Sequence, residues 1–257
     1  MGQENVREIE ESSTIIVWPQ DGKEMVFISG GTIIMGSNQG DTSHQPEHKV
    51  EIADFYIDRW PVTNNEYKQF VDATGFHLPN YEVSWCDTRE YNWDPETRMY
   101  PVGKEDHPVV LVTWADVMAY AAWAGKRLPT EAEWERVARG HHGRRYPWGN
   151  DFIDNCANIK EADFGETTPV GMFSPKGDTP EGVVDVIGNV WEWTNTLYRS
   201  FPYDADDGRE SREALGFRVL RGASWVNDAN MAHALSRIDA DFQFYNNLGF
   251  RCAVSLD

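Results

Sequence analysis

The chain has 257 residues, 40% hydrophobic and 13% aromatic, with a formal net charge of −19. That composition fits a globular domain, and no apolar run reaches the roughly 18 residues that a membrane span needs. The acidic balance works against nucleic acid and anionic membrane surfaces as partners, so a protein or a small molecule is the expected ligand.

In chain order, residues 1–22 read as a polar arm and residues 23–257 as one domain without linker or internal repeat. Met25-Val26-Phe27-Ile28 is a short apolar strand. Gly30-Gly31 is expected to turn it into a hairpin with Thr32-Ile33-Ile34-Met35-Gly36. An acidic loop follows, and residues 50–57 alternate as a half-buried strand. Thr63 and Glu66 form a capping-box pattern that opens a helix, with Tyr67, Phe70 and Val71 on one face and Gly75 at its C-terminal end. Residues 76–108, with Pro79, Pro95 and Pro101, are an irregular insertion. Thr113 and Asp116 repeat the cap before an Ala-rich helix over 114–124. Thr130 and Glu133 repeat it again before a helix to about Ala138. The rest is loop-rich, with strands expected at 183–186, 218–223 and 249–255.

Cys86, Cys156 and Cys252 are odd in number and widely spaced, which fits neither a disulfide framework nor a zinc cluster. Met1 to Glu11 has neither the basic nor the apolar region of a signal peptide. Both readings point to a reducing, cytoplasmic setting. His44 and His48 are spaced i, i+4, but Pro46 between them argues for a loop rather than a metal-binding helix.

Five motifs then occur in order. They are Phe55-Tyr56-Ile57-Asp58 to Thr63-Asn64, His107-Pro108-Val109, Gly125 to Trp134, Gly188-Asn189-Val190-Trp191-Glu192-Trp193, and a C-terminal pair. The pair is Arg218 to Trp225, ending Gly222-Ala223-Ser224-Trp225, and Leu248-Gly249-Phe250-Arg251-Cys252. From about Met25 to the end this resembles the formylglycine-generating enzyme (sulfatase-modifying factor) family. The resemblance implies an α+β fold, a single irregular domain of C-type-lectin-like type with little regular secondary structure. Fold alone does not fix function.

Members of that family oxidise a cysteine with copper held by two cysteines. The resemblance places those positions at Asn227 and at or close to Ala232, so copper-dependent formylglycine formation is not expected. Cu(I) needs soft thiolates, and Cys252 stands in a framework position where packing is expected. The family also carries structural Ca²⁺. The resemblance implies one site at Ile187, Gly188, Val190 and Glu192, with an arginine partner for Glu192 as the alternative. It implies a second at Asn158, Ile159 and Asp163, where the loop departs from the family by about a residue.

Residues 226–246 lie between two framework strands. The family has its active-site groove there, and relatives diversified by retroelements have a variable ligand-binding face. The expected reading is therefore a ligand- or protein-binding module, contacting its ligand through Asn227, Asp228, His233, Asp239, Phe242 and Tyr245. Trp225 is expected in the core. The alternative is an oxidoreductase of the same superfamily with a non-cysteine, iron- or oxygen-dependent site.

Overall fold

Three helices begin on complete capping boxes. In the computed structural model, which describes residues 14–240 and 245–256, α1 spans Asn64–Thr74, α2 Trp114–Trp123 and α3 Glu131–Arg139. At each start the threonine side chain accepts the N3 amide while the N3 carboxylate accepts the threonine amide, satisfying two otherwise orphaned donors. Gly75 ends α1 at φ +71°, a left-handed position that glycine takes without strain. All nine residues of α3 are buried, so this helix is the centre of the molecule rather than a cover on it.

The described residues form three sheets, and α3 packs on the second and third of them. In the first, β1 (Ile15–Val17), β2 (Glu24–Ile28), β5 (Phe55–Asp58) and β10 (Ala253–Ser255) run in the order β1-β2-β5-β10. The second pairs β3 (Gly31–Met35) with β4 (His48–Ile52). The third contains β6 (Trp191–Leu197), β7 (Arg218–Arg221), β8 (Arg237–Ala240) and β9 (Leu248–Gly249), in the order β8-β7-β6-β9. There β9 lies parallel to β6 and the other pairs are antiparallel. Trp93, Trp134, Trp193, Tyr67 and Tyr120 fill the main core. Their rings give large apolar area with few residues, which suits a fold made mostly of loops.

Three local expectations are corrected. First, β2 and β3 do not form a hairpin. β2 pairs with β1 and β5, and β3 with β4. Gly30-Gly31 instead lets the chain pass from one sheet to the next, since a Cβ at Gly30 would lie 2.2 Å from the Ile52 carbonyl oxygen. Second, the end of the polar arm belongs to the domain. β1 pairs with β2, and Trp18 and Asp21 are buried. The Trp18 indole donates to the Ala124 carbonyl at 2.7 Å. Residues 1–13 lie outside the described residues. Third, residues 183–186 form no strand. The carbonyls of Val184 and Asp185 accept from the Arg251 guanidinium, and the Val184 amide donates to Arg59.

Candidate functional site

The site is held by two buried ionic frames, built largely from motif residues. In the first, α3 presents Glu131 and Glu135 to β7 and β8. Arg221 donates to Glu131 at 3.0 Å and to Glu135 at 2.8 Å, and Arg237 grips Glu131 at 2.6 and 3.0 Å. Arg221 and Arg237 are direct cross-strand neighbours. Two like charges so placed would repel, and Glu131 between them makes the pairing tenable. Burial works to raise the Glu135 pKa, but Arg221 and Arg139 outweigh it and leave the pKa below its ordinary value. In the second frame Glu192 of β6 accepts Arg251 at 2.7 and 2.8 Å and the Trp134 indole at 2.9 Å. The remaining Arg251 donors go to backbone carbonyls of residues 58, 59, 184 and 185.

The first frame clamps the stems of β7 and β8, and the candidate segment is what the chain does between and after them. Asn227 is half-buried. Its Oδ1 accepts the Ser224 amide at 2.9 Å and the Ser224 hydroxyl at 2.8 Å. Asn247, just ahead of β9, donates to that same hydroxyl at 2.9 Å. Asp228 is a turn former: its carboxylate caps the Asn230 amide and its carbonyl accepts from Met231 and Ala232. His233 points away toward His44, ring edge to ring face at 6.4 Å. Burial, then Arg145, His44 and Arg221, push the His233 pKa down to about 4, so it is neutral at physiological pH. His44 and His48 do not converge. His44 bonds the Gln39 carbonyl, while His48 accepts from the Tyr203 amide.

Asp239 and Tyr245 line a cleft of about 390 Å³, together with Trp191, Phe217, Ile238 and Asn247 among others. That volume is within the range of small-molecule sites. The six sequence-derived contacts are therefore divided: Asp239 and Tyr245 share this cleft, and Asn227 is joined to it only through Ser224 and Asn247. Asp228 and His233 serve other contacts, and Phe242 lies outside the described residues. Sequence reasoning missed Trp191, Phe217 and Asn247. Each adjoins or belongs to a framework strand, and that position was the available signal. Trp225 also differs from expectation. It is half-buried rather than in the core, and its buried Nε1 has no hydrogen-bond partner among the described residues.

The thiols do not gather here. Cys252 is fully buried, Cys156 is buried and Cys86 is half-buried, and none lies in residues 226–246. Burial, reinforced by Asp58, pushes the Cys252 thiol pKa well up, which keeps it protonated and inert. Ala232, at or near the second copper-cysteine position, is 1% exposed and offers only a methyl group.

The two calcium sets give different results against calcium's need for hard oxygen donors. Glu192 does not fit, because Arg251 and Trp134 occupy both carboxylate oxygens. The second set fits better. The Oδ1 of Asn158 is buried without a partner among the described residues, an acceptor in want of a donor or a cation. Asp163, exposed and left-handed at φ +59°, closes the turn that Ile159 opens. The two sets are neighbours, since the Asn189 amide donates to the Asn158 carbonyl at 2.7 Å.

The fold and this placement of motif residues define an α+β, C-type-lectin-like domain of the formylglycine-generating-enzyme type. Residues 14–256 match the family model described as sulfatase-modifying factor enzyme 1-like domain, and the chain belongs to that family. It is 34% identical to a bovine (Bos taurus) protein called inactive C-alpha-formylglycine-generating enzyme 2, over 89% of this chain and 87% of the relative. It is also 34% identical to the formylglycine-generating enzyme of Streptomyces coelicolor, over 93% and 91% of the two chains. Among solved structures it is similar to PvdO from Pseudomonas aeruginosa, with a TM-score of 0.78 at 27% identity, covering 96% of this chain and all of that one. The relative named inactive and the Streptomyces coelicolor relative named formylglycine-generating enzyme are each 34% identical to this chain, so overall identity does not decide its activity.

Proposed function

We propose that this protein is a ligand-binding module on the sulfatase-modifying-factor fold, working without copper–cysteine chemistry and recognising its ligand through residues 226–246 and the adjoining cleft. One observation carries the reading: where the family resemblance implies two thiolates, this chain has Asn227, whose amide oxygen is engaged by Ser224, and, at or close to the second position, Ala232, which is buried. Neither is a soft ligand, so the donor set that Cu(I) requires is replaced by a hydrogen-bonded polar floor. The existence of a relative named inactive supports the same reading.

The test has two arms. With Cu(I), oxygen and a Cys-x-Pro-x-Arg peptide, the peptide mass should stay unchanged, and formation of the aldehyde would overturn the proposal. In an NMR screen of small fragments, perturbed resonances should gather on Trp191, Asp239, Tyr245 and Asn247. Binding that maps to another face would refute the assigned surface.

In the same proposal a structural Ca²⁺ is held by Asn158, Ile159 and Asp163 rather than by Ile187, Gly188, Val190 and Glu192. A bound cation would supply charge neutralisation and a cross-link between loops. A cation that binds only the folded state adds about 2.7 kcal/mol when present at 100 times its Kd. Chelator should therefore lower the melting temperature of the wild type and leave Asn158→Ala unaffected. An identical melt with and without chelator in the wild type would remove the site.

A further inference from the structure

We propose that the cleft on the sheet of β6, β7, β8 and β9 takes a small, uncharged, planar aromatic molecule. This rests on the binding-module reading and names the ligand class of that site. The register of the sheet sorts its side chains by charge. Glu192 pairs with Arg221, Arg221 with Arg237, and Val219 with Asp239. Direct partners share a face and side chains alternate along a strand, so Glu192, Arg221, Arg237 and Asp239 all project to the side that carries α3. There Arg221 and Arg237 meet Glu131. On the opposite side stand Trp191 with its partner Leu248, and Leu220 with its partner Ile238. Ala240, two residues beyond Ile238, shares that face. These five residues line the cleft. Asp239 adjoins it through its backbone, and its carboxylate is on the other side of the sheet.

The charged strand residue on the cleft face is Arg218, the partner of Ala240. Its guanidinium is already engaged. It lies 4.0 Å over the Trp114 ring and donates to the carbonyls of Asn195, Ser211 and Ala214. Exposure gives the shape of the cleft. Trp191, Leu220, Ala240 and Leu248 are 4%, 4%, 8% and 1% exposed, although the cleft they line holds about 390 Å³. A wide trough would leave such side chains in water, so the cleft is narrow above its floor. A flat ring can reach that floor edge-on, and a globular body cannot. The ring removes the remaining apolar surface from water and meets the Trp191 indole. A charged ring would lose its hydration there without gaining a partner, an unfavourable exchange.

The experiment titrates the full chain with four probes, followed by calorimetry and by the NMR signal of the Trp191 indole. The probes are neutral quinoline, cationic N-methylquinolinium, anionic 2-naphthoate and the globular neutral 1-adamantanol. Quinoline should bind about tenfold more tightly than each of the others. Ile238→Lys places a charge on the cleft face and should abolish quinoline binding. An unaltered quinoline affinity in that variant would overturn the assignment. Should the lysine variant fail to fold, Ile238→Ala serves instead. It widens the floor and should bring 1-adamantanol to within about threefold of quinoline. Binding of either charged probe as tight as that of quinoline would overturn the uncharged class, and equal binding of 1-adamantanol to the wild type the planar one. Both results leave the binding-module reading intact. No saturable binding of quinoline at millimolar concentration would also overturn the inference. The fragment map and the copper assay decide the broader reading separately.

Discussion

The strand β6 with its partners, and the excursion from Trp225 to Ser236, are neighbours in space with opposite polar economies. Every residue of β6 is buried, and at its centre the Glu192 carboxylate is matched donor by donor with Arg251 and Trp134. In the excursion Val226 and Met231 are exposed, and the Trp225 indole nitrogen is buried without a partner among the described residues. Buried charge persists only where it is fully paired, and removing one member costs more than the pair itself contributes. The framework is thus intolerant of change at single positions, whereas the excursion holds its shape through turns and a few amide bonds that substitution can re-make.

That contrast can be broken most sharply at Arg251. Arg251→Leu leaves Glu192 buried without its cation, and the loss expected in urea denaturation is about 3–5 kcal/mol. A loss below about 1 kcal/mol would mean that the frame is not what fixes β6.

The tryptophans give a ladder from core to excursion. Trp193 is 0% exposed and donates to the Val112 carbonyl at 3.2 Å, so Trp193→Ala should cost about 3–5 kcal/mol. Trp225→Ala should cost about 1–2 kcal/mol, and Tyr245→Ala less than either, since both residues are half-buried. If Tyr245→Ala lowers the melting temperature as much as Trp193→Ala, Tyr245 belongs to the core and the binding face is misplaced.

A smaller effect sharpens the comparison through pH. His107 is buried against Thr167, and burial, followed by Lys104, depresses its pKa from 6.5 to about 4. The unfolded chain therefore binds this proton more readily than the native state. The stability it contributes is present above about pH 6.5 and is lost as pH falls toward 4. Asp185 acts with the opposite sign. Burial raises it from 3.8 to about 6, so its contribution is present below pH 3.8 and fades as pH rises through 6. His107→Gln should flatten the acid limb of a stability–pH curve and uncover the Asp185 slope. An unchanged acid limb would show that His107 titrates freely.

The helices were legible from the sequence because a capping box is a local device. Thr63 with Glu66, Thr113 with Asp116, and Thr130 with Glu133 state their own geometry within four residues. The sheets were less so. Gly30-Gly31 carries the same letters whether it turns a hairpin or clears the Ile52 carbonyl, and only the distant strand decides which. The backbone at residues 184 and 185 likewise bonds to Arg251 rather than to a neighbouring strand, a contact across more than sixty positions. At the site, the segment was identified by exclusion, as the stretch between two recognisable strands, and that located Asp239 and Tyr245. It could not supply Trp191, whose motif role concealed a second face on the cleft, or Phe217, which stands just ahead of the Arg218 motif. Nor could it separate His233, drawn off toward His44, from the residues it sits among in the chain.

The clamp on β7 and β8 also sets how the molecule breathes. Arg221 and Arg237 lock the two stems to Glu131 of a wholly buried helix, so residues 222–236 can open and reclose while the sheet beneath stays zipped. In hydrogen exchange the amides of Leu220 and Ile238 should report global unfolding, and those of Val226 and Asn230 a far cheaper local event. The exposed part of the excursion would then open before the strands that hold its ends.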